Sequence, residues 1–160
     1  MPNRIYIAIV VICILFTTSC QRIPSKIVPY NEMDIALINQ AEKIYFELFK
    51  SCQQDSLDQF LSHSFITPKI YKSIHNKGQN DICQKIETEL GEITSIDLIE
   101  AIYFKSLQLI LRCKLNATKL SRPIEFRMVL TIENDLSAIA FYDWSAIYDY
   151  RTPKISWKEE

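Results

Sequence analysis

The sequence predicts an α+β fold, with three N-terminal helices packed on one face of a curved four-stranded antiparallel sheet. Apolar residues recur at a helical spacing up to Leu90, and they alternate with polar residues from Ile93 onward. Gly91, one of only two glycines in the 160 residues, stands between these halves, at a position typical of a helix C-terminus. The chain therefore changes from helical to extended structure at one point.

The three helices are predicted over residues 31–51, 55–62 and 68–90. Asn31 is the predicted N-cap of the first helix, and Asp34 follows three residues later in a capping-box-like pattern. Thr67 and Pro68 form a favourable N-cap and N1 pair for the third helix. The polar stretch 76–80 is expected to interrupt or kink that helix.

The four strands are predicted over residues 93–105, 107–118, 123–133 and 138–150. The third strand alternates most clearly, with Phe126 and Met128 on one face and Glu125 and Arg127 on the other. The connections between strands are too short for crossover helices. The sequence therefore predicts an antiparallel meander.

This order of elements, with Gly91 between the third helix and the first strand, resembles the NTF2-like, cystatin-like α+β superfamily over residues 31–150. The resemblance implies a single domain in which the curved sheet and the helices enclose a cone-shaped pocket. Its members include isomerases, dehydratases, transport adaptors and binding-only domains. The fold does not by itself assign a function.

Five strand residues are candidates for lining such a pocket: Asp97, Tyr142, Asp143, Trp144 and Tyr148. The three aromatic residues share one parity of the last strand, which fits an apolar pocket with phenol groups or, as we favour, ordinary core packing. In the ketosteroid-isomerase branch of the superfamily, a carboxylate base lies opposite a tyrosine. Either aspartate fits that role, although a solvent-facing carboxylate is the more common outcome. The sequence contains no catalytic motif and no metal-ligand spacing, so we expect neither a catalytic residue, a metal nor a cofactor.

The N-terminus carries one basic residue, Arg4, an apolar run over 5–16, the small residues 17–19 and then Cys20. The apolar run is too short to span a bilayer as a helix. This order resembles a bacterial lipoprotein signal peptide, in which the cysteine is acylated and becomes the first residue of the mature protein. The resemblance implies a signal peptide over 1–19, with Cys20 lipidated. A secretory signal that leaves a free Cys20 thiol is the alternative.

The residues after Cys20 suggest the destination. Residues 20–30 are expected to form the lipidated cysteine and an extended tether, and 151–160 a loose C-terminal tail. Gln21 follows Cys20, at the position where an aspartate retains lipoproteins of this class in the inner membrane. The resemblance therefore implies an outer-membrane location. No acidic run follows, so we expect the protein to face the periplasm.

Charge and cysteine content limit the partners. Arg4 is the only charged residue in the predicted signal peptide, so the mature chain keeps 17 basic residues against 19 acidic ones, a net charge of −2. This balance argues against a nucleic-acid partner. Cys52, Cys83 and Cys113 fall at core-facing positions. Buried free thiols are favoured, and a Cys52–Cys83 disulfide is the alternative.

These observations favour a lipid-anchored cell-envelope protein with a non-catalytic binding or adaptor domain. Its expected partners are the membrane, through the N-terminal lipid, and an envelope protein or a small apolar ligand. Two alternatives stay open: a small isomerase or dehydratase of the NTF2-like type, and a periplasmic immunity or inhibitor lipoprotein.

Overall fold

The computed structural model describes residues 24–76, 79–104 and 108–149. The signal peptide predicted over 1–19, the lipidated Cys20 and the loose tail predicted over 151–160 lie outside the described residues. No helix in the described ranges has both the length and the apolar character that a membrane crossing requires.

The α+β class and the antiparallel meander are confirmed, but the number of strands is five in the described residues rather than four. The strands are β1 (Pro24–Pro29), β2 (Ile93–Phe104), β3 (Leu109–Ala117), β4 (Ile124–Leu130) and β5 (Leu136–Asp143). They lie in the sheet in their chain order, and each is antiparallel to the next.

The additional strand, β1, lies in the segment that the sequence predicted to be a tether. It pairs with the far end of β2, and Val28 is buried in the core opposite Ala101. The two prolines of this segment argue against a strand in the sequence. They stand at its two ends, however, and the strand lies at the edge of the sheet. Missing backbone donors are tolerated at those positions.

The helices are α1 (Ile35–Gln53), α2 (Leu57–Leu61), α3 (Pro68–Asn76) and α4 (Gln79–Lys85), and the π-helical turn Ile86–Leu90 follows α4. The described residues thus contain four helices rather than three, because α3 and α4 both lie where the sequence predicted one helix. The predicted N-cap Asn31 is also wrong. It lies in a 3₁₀ turn, whereas the Asp34 carboxylate accepts a hydrogen bond from the Ala36 amide at 2.7 Å and caps α1.

One hydrophobic core joins the helices to one face of the sheet. Ala41, Ile44 and Leu48 of α1 are fully buried there. They belong to the same cluster as Leu111 of β3 and Phe126 of β4. Because side chains alternate along a strand, the intervening residues of β3 and β4 lie on the opposite face, which we call the outer face.

Candidate functional site

The outer face of the sheet carries four charged side chains at its centre, which we call the arginine cluster: Glu100, Arg112, Glu125 and Arg127. Register brings them together, because Arg112 of β3 lies opposite both Glu100 of β2 and Arg127 of β4. The side chains of Arg112 and Glu125 are completely buried, and that of Arg127 is 4% exposed. This is an unusual depth for charged groups, which are rarely buried unless paired.

Ion pairs connect all four members of the cluster. Arg112 donates hydrogen bonds to the carboxylates of Glu100 and Glu125, and Arg127 donates to the second oxygen of Glu125. Burial acts to lower the pKa of Arg112, but its hydrogen bonds to Glu125 and Glu100 outweigh that effect and raise the pKa above its ordinary value. The cluster contains two arginines and two glutamates, so its formal charges balance.

Residues 144–149, which we call the cover segment, shield this cluster from solvent. The Ser145 carbonyl accepts a hydrogen bond from Arg112 at 2.7 Å, and the Asp149 carbonyl accepts one from Arg127 at 3.3 Å. The guanidinium carbon of Arg112 lies 5.7 Å from the Trp144 ring centroid and 5.6 Å from that of Tyr148. Two backbone acceptors and two aromatic rings thus attach the cover segment to the outer face.

The three predicted aromatic residues, Tyr142, Trp144 and Tyr148, lie together on the outer face. They are on the side of the sheet opposite the helices and the hydrophobic core. The guanidinium of Arg127 lies 3.8 Å from the Tyr142 ring centroid and 4.9 Å from that of Tyr148. Trp144 and Tyr148 are half-buried and belong to the cover segment, because β5 ends at Asp143 and not at residue 150. Burial raises the pKa of the Tyr148 phenol.

The two predicted acids do not join the tyrosines. Asp97 is exposed on the outer face, opposite Lys114 of β3. Asp143 is exposed at the end of β5 and forms a surface ion pair with Arg122 at 3.0 Å. Within the described residues, neither carboxylate forms a hydrogen bond with a tyrosine.

A second feature, the disulfide cleft, lies where the helix layer meets the first residues of β2. It is open to solvent, with a volume of about 520 Å³. The disulfide between Cys52 of α1 and Cys83 of α4 forms part of its wall, with an S–S distance of 2.07 Å. Of the alternatives that the sequence left open for these two cysteines, the structure contains the disulfide. Cys113 is a buried free thiol, and burial raises its pKa.

The lining residues of the disulfide cleft are Phe49, Cys52, Gln53, Cys83, Ile86, Glu87, Gly91, Glu92, Ile93, Thr118 and Lys119. Phe49, Ile86 and Ile93 make part of the lining apolar. Two of the polar side chains are held in place: Lys119 donates to the Glu87 and Thr88 carbonyls at 3.0 Å, and the Thr118 hydroxyl accepts from the Glu92 amide at 3.0 Å. The cleft offers an apolar surface beside two fixed polar groups.

Gly91 is required where the cleft wall turns from helix to strand. Its φ of +71° lies in the left-handed region, and a Cβ atom here would stand 2.5 Å from the Thr118 hydroxyl oxygen. The sequence identified Gly91 and the two cysteines separately. All three line one cleft because of how α4 packs beside α1 and the start of β2. No local sequence pattern predicts that packing.

Comparison with known proteins assigns no role to the arginine cluster or to the disulfide cleft. No protein-family model, curated protein or solved structure matches the chain. Among the described residues, no group of three or more His, Cys, Asp or Glu side chains is placed to hold a metal ion.

Proposed function

We propose that the chain is a lipid-anchored protein of the bacterial outer membrane that faces the periplasm and uses a non-catalytic domain for binding. The anchor rests on sequence: a basic residue, a short apolar run and small residues precede Cys20. Three acyl chains on a mature lipoprotein hold a protein firmly, whereas one chain binds only marginally.

The binding role rests on one observation, the disulfide cleft. It has the size of a small-ligand site and combines an apolar wall with a few fixed polar groups, as binding sites generally do. Its one lysine, Lys119, donates to two backbone carbonyls. That geometry favours recognition of a small apolar ligand, or of an apolar side chain of an envelope protein, over proton transfer.

The arginine cluster fits a structural role better than catalysis. Each of its carboxylates already accepts a hydrogen bond from an arginine, and three of its four side chains are almost completely buried, while Glu100 is 17% exposed. The proposed membership of the NTF2-like, cystatin-like superfamily is supported by the helix layer and the antiparallel meander. Asp97 and Asp143, the acids that an isomerase of that type would need beside a tyrosine, are both exposed.

The anchor is tested by Cys20→Ser, with Cys13→Ser in the apolar run as the matched control. We expect Cys20→Ser to abolish incorporation of labelled palmitate and to release the protein from membranes, while Cys13→Ser keeps both. Palmitate incorporation into the Cys20→Ser variant would show that the anchor is assigned wrongly.

The cleft is tested by filling it. Gln53 is exposed at the end of α1 and lines the cleft, so Gln53→Trp should fill it without disturbing the core. Gln59→Trp, at an exposed position of α2 away from the cleft, is the control. We expect a ligand or protein captured with the anchored protein from envelopes to be lost with Gln53→Trp alone. Equal capture by both variants would exclude the cleft as the binding site.

A further inference from the structure

The distance between the proposed lipid anchor and the folded domain is short. β1 begins at Pro24, so only Gln21, Arg22 and Ile23 separate it from Cys20. A fully extended chain covers at most ~3.6 Å per residue, so the Cα atoms of Cys20 and Pro24 are no more than about 14 Å apart. This argument rests on the proposed acylation of Cys20.

Pro24 lies at one end of the sheet, together with one end of every other strand. It pairs with Phe104, the last residue of β2. Leu109, the first residue of β3, pairs with Leu130, the last of β4, and Leu130 pairs with Leu136 of β5. We call this row of residues and the turn 131–135 beyond it the anchor-proximal end.

Exposed side chains at this end suit the boundary between water and lipid. Ile132, in the turn between β4 and β5, is 61% exposed, and Tyr103 of β2 is 37% exposed. An isoleucine gains free energy when it leaves water, and tyrosine is enriched at membrane interfaces because its ring is apolar and its hydroxyl is polar. Lys26, also exposed at this end, adds a cation near the lipid phosphates and offsets the exposed carboxylate of Glu133, so the apolar side chains carry the argument.

We propose that the anchor-proximal end rests on the phospholipid surface and that the disulfide cleft is thereby held at the far end of the domain. The cleft is lined by Ile93 and Thr118, at the start of β2 and just after β3. β2 runs from Ile93 to Phe104, and at ~3.3 Å per residue it separates the two ends by about 35 Å. The bound partner therefore meets the cleft well clear of the lipid headgroups.

The experiment places the photo-reactive residue p-benzoylphenylalanine at Ile132 in the full-length acylated protein. The protein is reconstituted into vesicles of phosphatidylethanolamine and phosphatidylglycerol. The matched control carries the same residue at Ser121, an exposed position between β3 and β4 at the opposite end of the sheet. Glu133, also exposed in the turn beside Ile132, provides a second test position. After illumination, mass spectrometry measures the phospholipid adducts.

We expect at least fivefold more lipid adduct at 132 and 133 than at 121. Equal yields, or more adduct at 121, would overturn the proposed orientation. Inserting twenty Gly and Ser residues between Gln21 and Arg22 should lower the yield at 132 at least threefold, because the linker no longer restricts the distance. An unchanged yield would refute the linker argument.

The acylation state of each sample separates the two proposals. A protein that is acylated at Cys20 but gives equal adducts at both ends overturns the orientation alone. A protein that carries no acyl chain at Cys20 overturns the proposed anchor, and this inference with it.

Discussion

Replacing Arg112 by methionine tests the claim that the arginine cluster stabilises the outer face. The Arg112 side chain is fully buried and donates to Glu100, to Glu125 and to the Ser145 carbonyl. Removing one partner of a buried ion pair costs about 3–5 kcal/mol, because the remaining charge is left buried without compensation. Glu125 keeps Arg127, and Glu100 is 17% exposed, so we expect a loss near the lower limit, about 3 kcal/mol.

The assay is urea unfolding of residues 23–160, which lack the proposed signal peptide and anchor, with Arg122→Met as the matched control. Arg122 also pairs with an aspartate, but the two side chains are 74% and 55% exposed, so its removal should cost at most about 1 kcal/mol. In a Trp157→Phe background, Trp144 fluorescence should also shift to the red in Arg112→Met, because the cover segment loses three contacts. A stability loss below about 1 kcal/mol, with unchanged fluorescence, would refute the reasoning.

Three further predictions concern the cleft wall and the core. Replacing Cys52 and Cys83 together by alanine should lower the free energy of unfolding by about 3.7 kcal/mol, since the disulfide closes a loop of 31 residues. Urea midpoints of the oxidised protein and of the variant measure this loss, and equal midpoints would contradict the prediction. Gly91→Ala should cost more than about 1 kcal/mol, because of the positive φ and the contact with Thr118, and a thermal midpoint at or above that of the parent would exclude this strain. Burial raises the pKa of Cys113, so the unfolded thiol ionises first and stability should fall as the pH rises above about 9, by up to about 1.4 kcal/mol per pH unit from this group. Cys113→Ala should show a shallower decline, and an identical pH profile would disprove the assignment.

The fold class was predictable because helical and strand periodicities are local signals. β3 and β4 lie within one to three residues of their predicted bounds for that reason. β1 was not predictable in this way. Pro24–Pro29 is only six residues long, and it forms a strand because it pairs with residues more than seventy positions later.

The arginine cluster was likewise predictable only where it depends on residues close together in the sequence. Alternation correctly places Glu125 and Arg127 on the polar face of their strand, opposite the core. It does not say that the chain turns back after Asp143 and covers that face. A useful signal was present, since oppositely charged residues on adjacent predicted strands precede a row of aromatic residues. Its meaning depends on the register between strands, which the sequence leaves open.

The place of β1 in the sheet also has a consequence for the order of folding. Pro29 pairs with Glu100, 71 residues further along, whereas Leu115 pairs with Ile124 only nine residues away. Loop-closure entropy makes the longer contact costlier by about 2 kcal/mol. The hairpins of the C-terminal half should therefore form first, and the strand nearest the N-terminus should join last. Under the export that we propose, the chain emerges N-terminus first and must keep this segment unpaired until most of the domain has followed it.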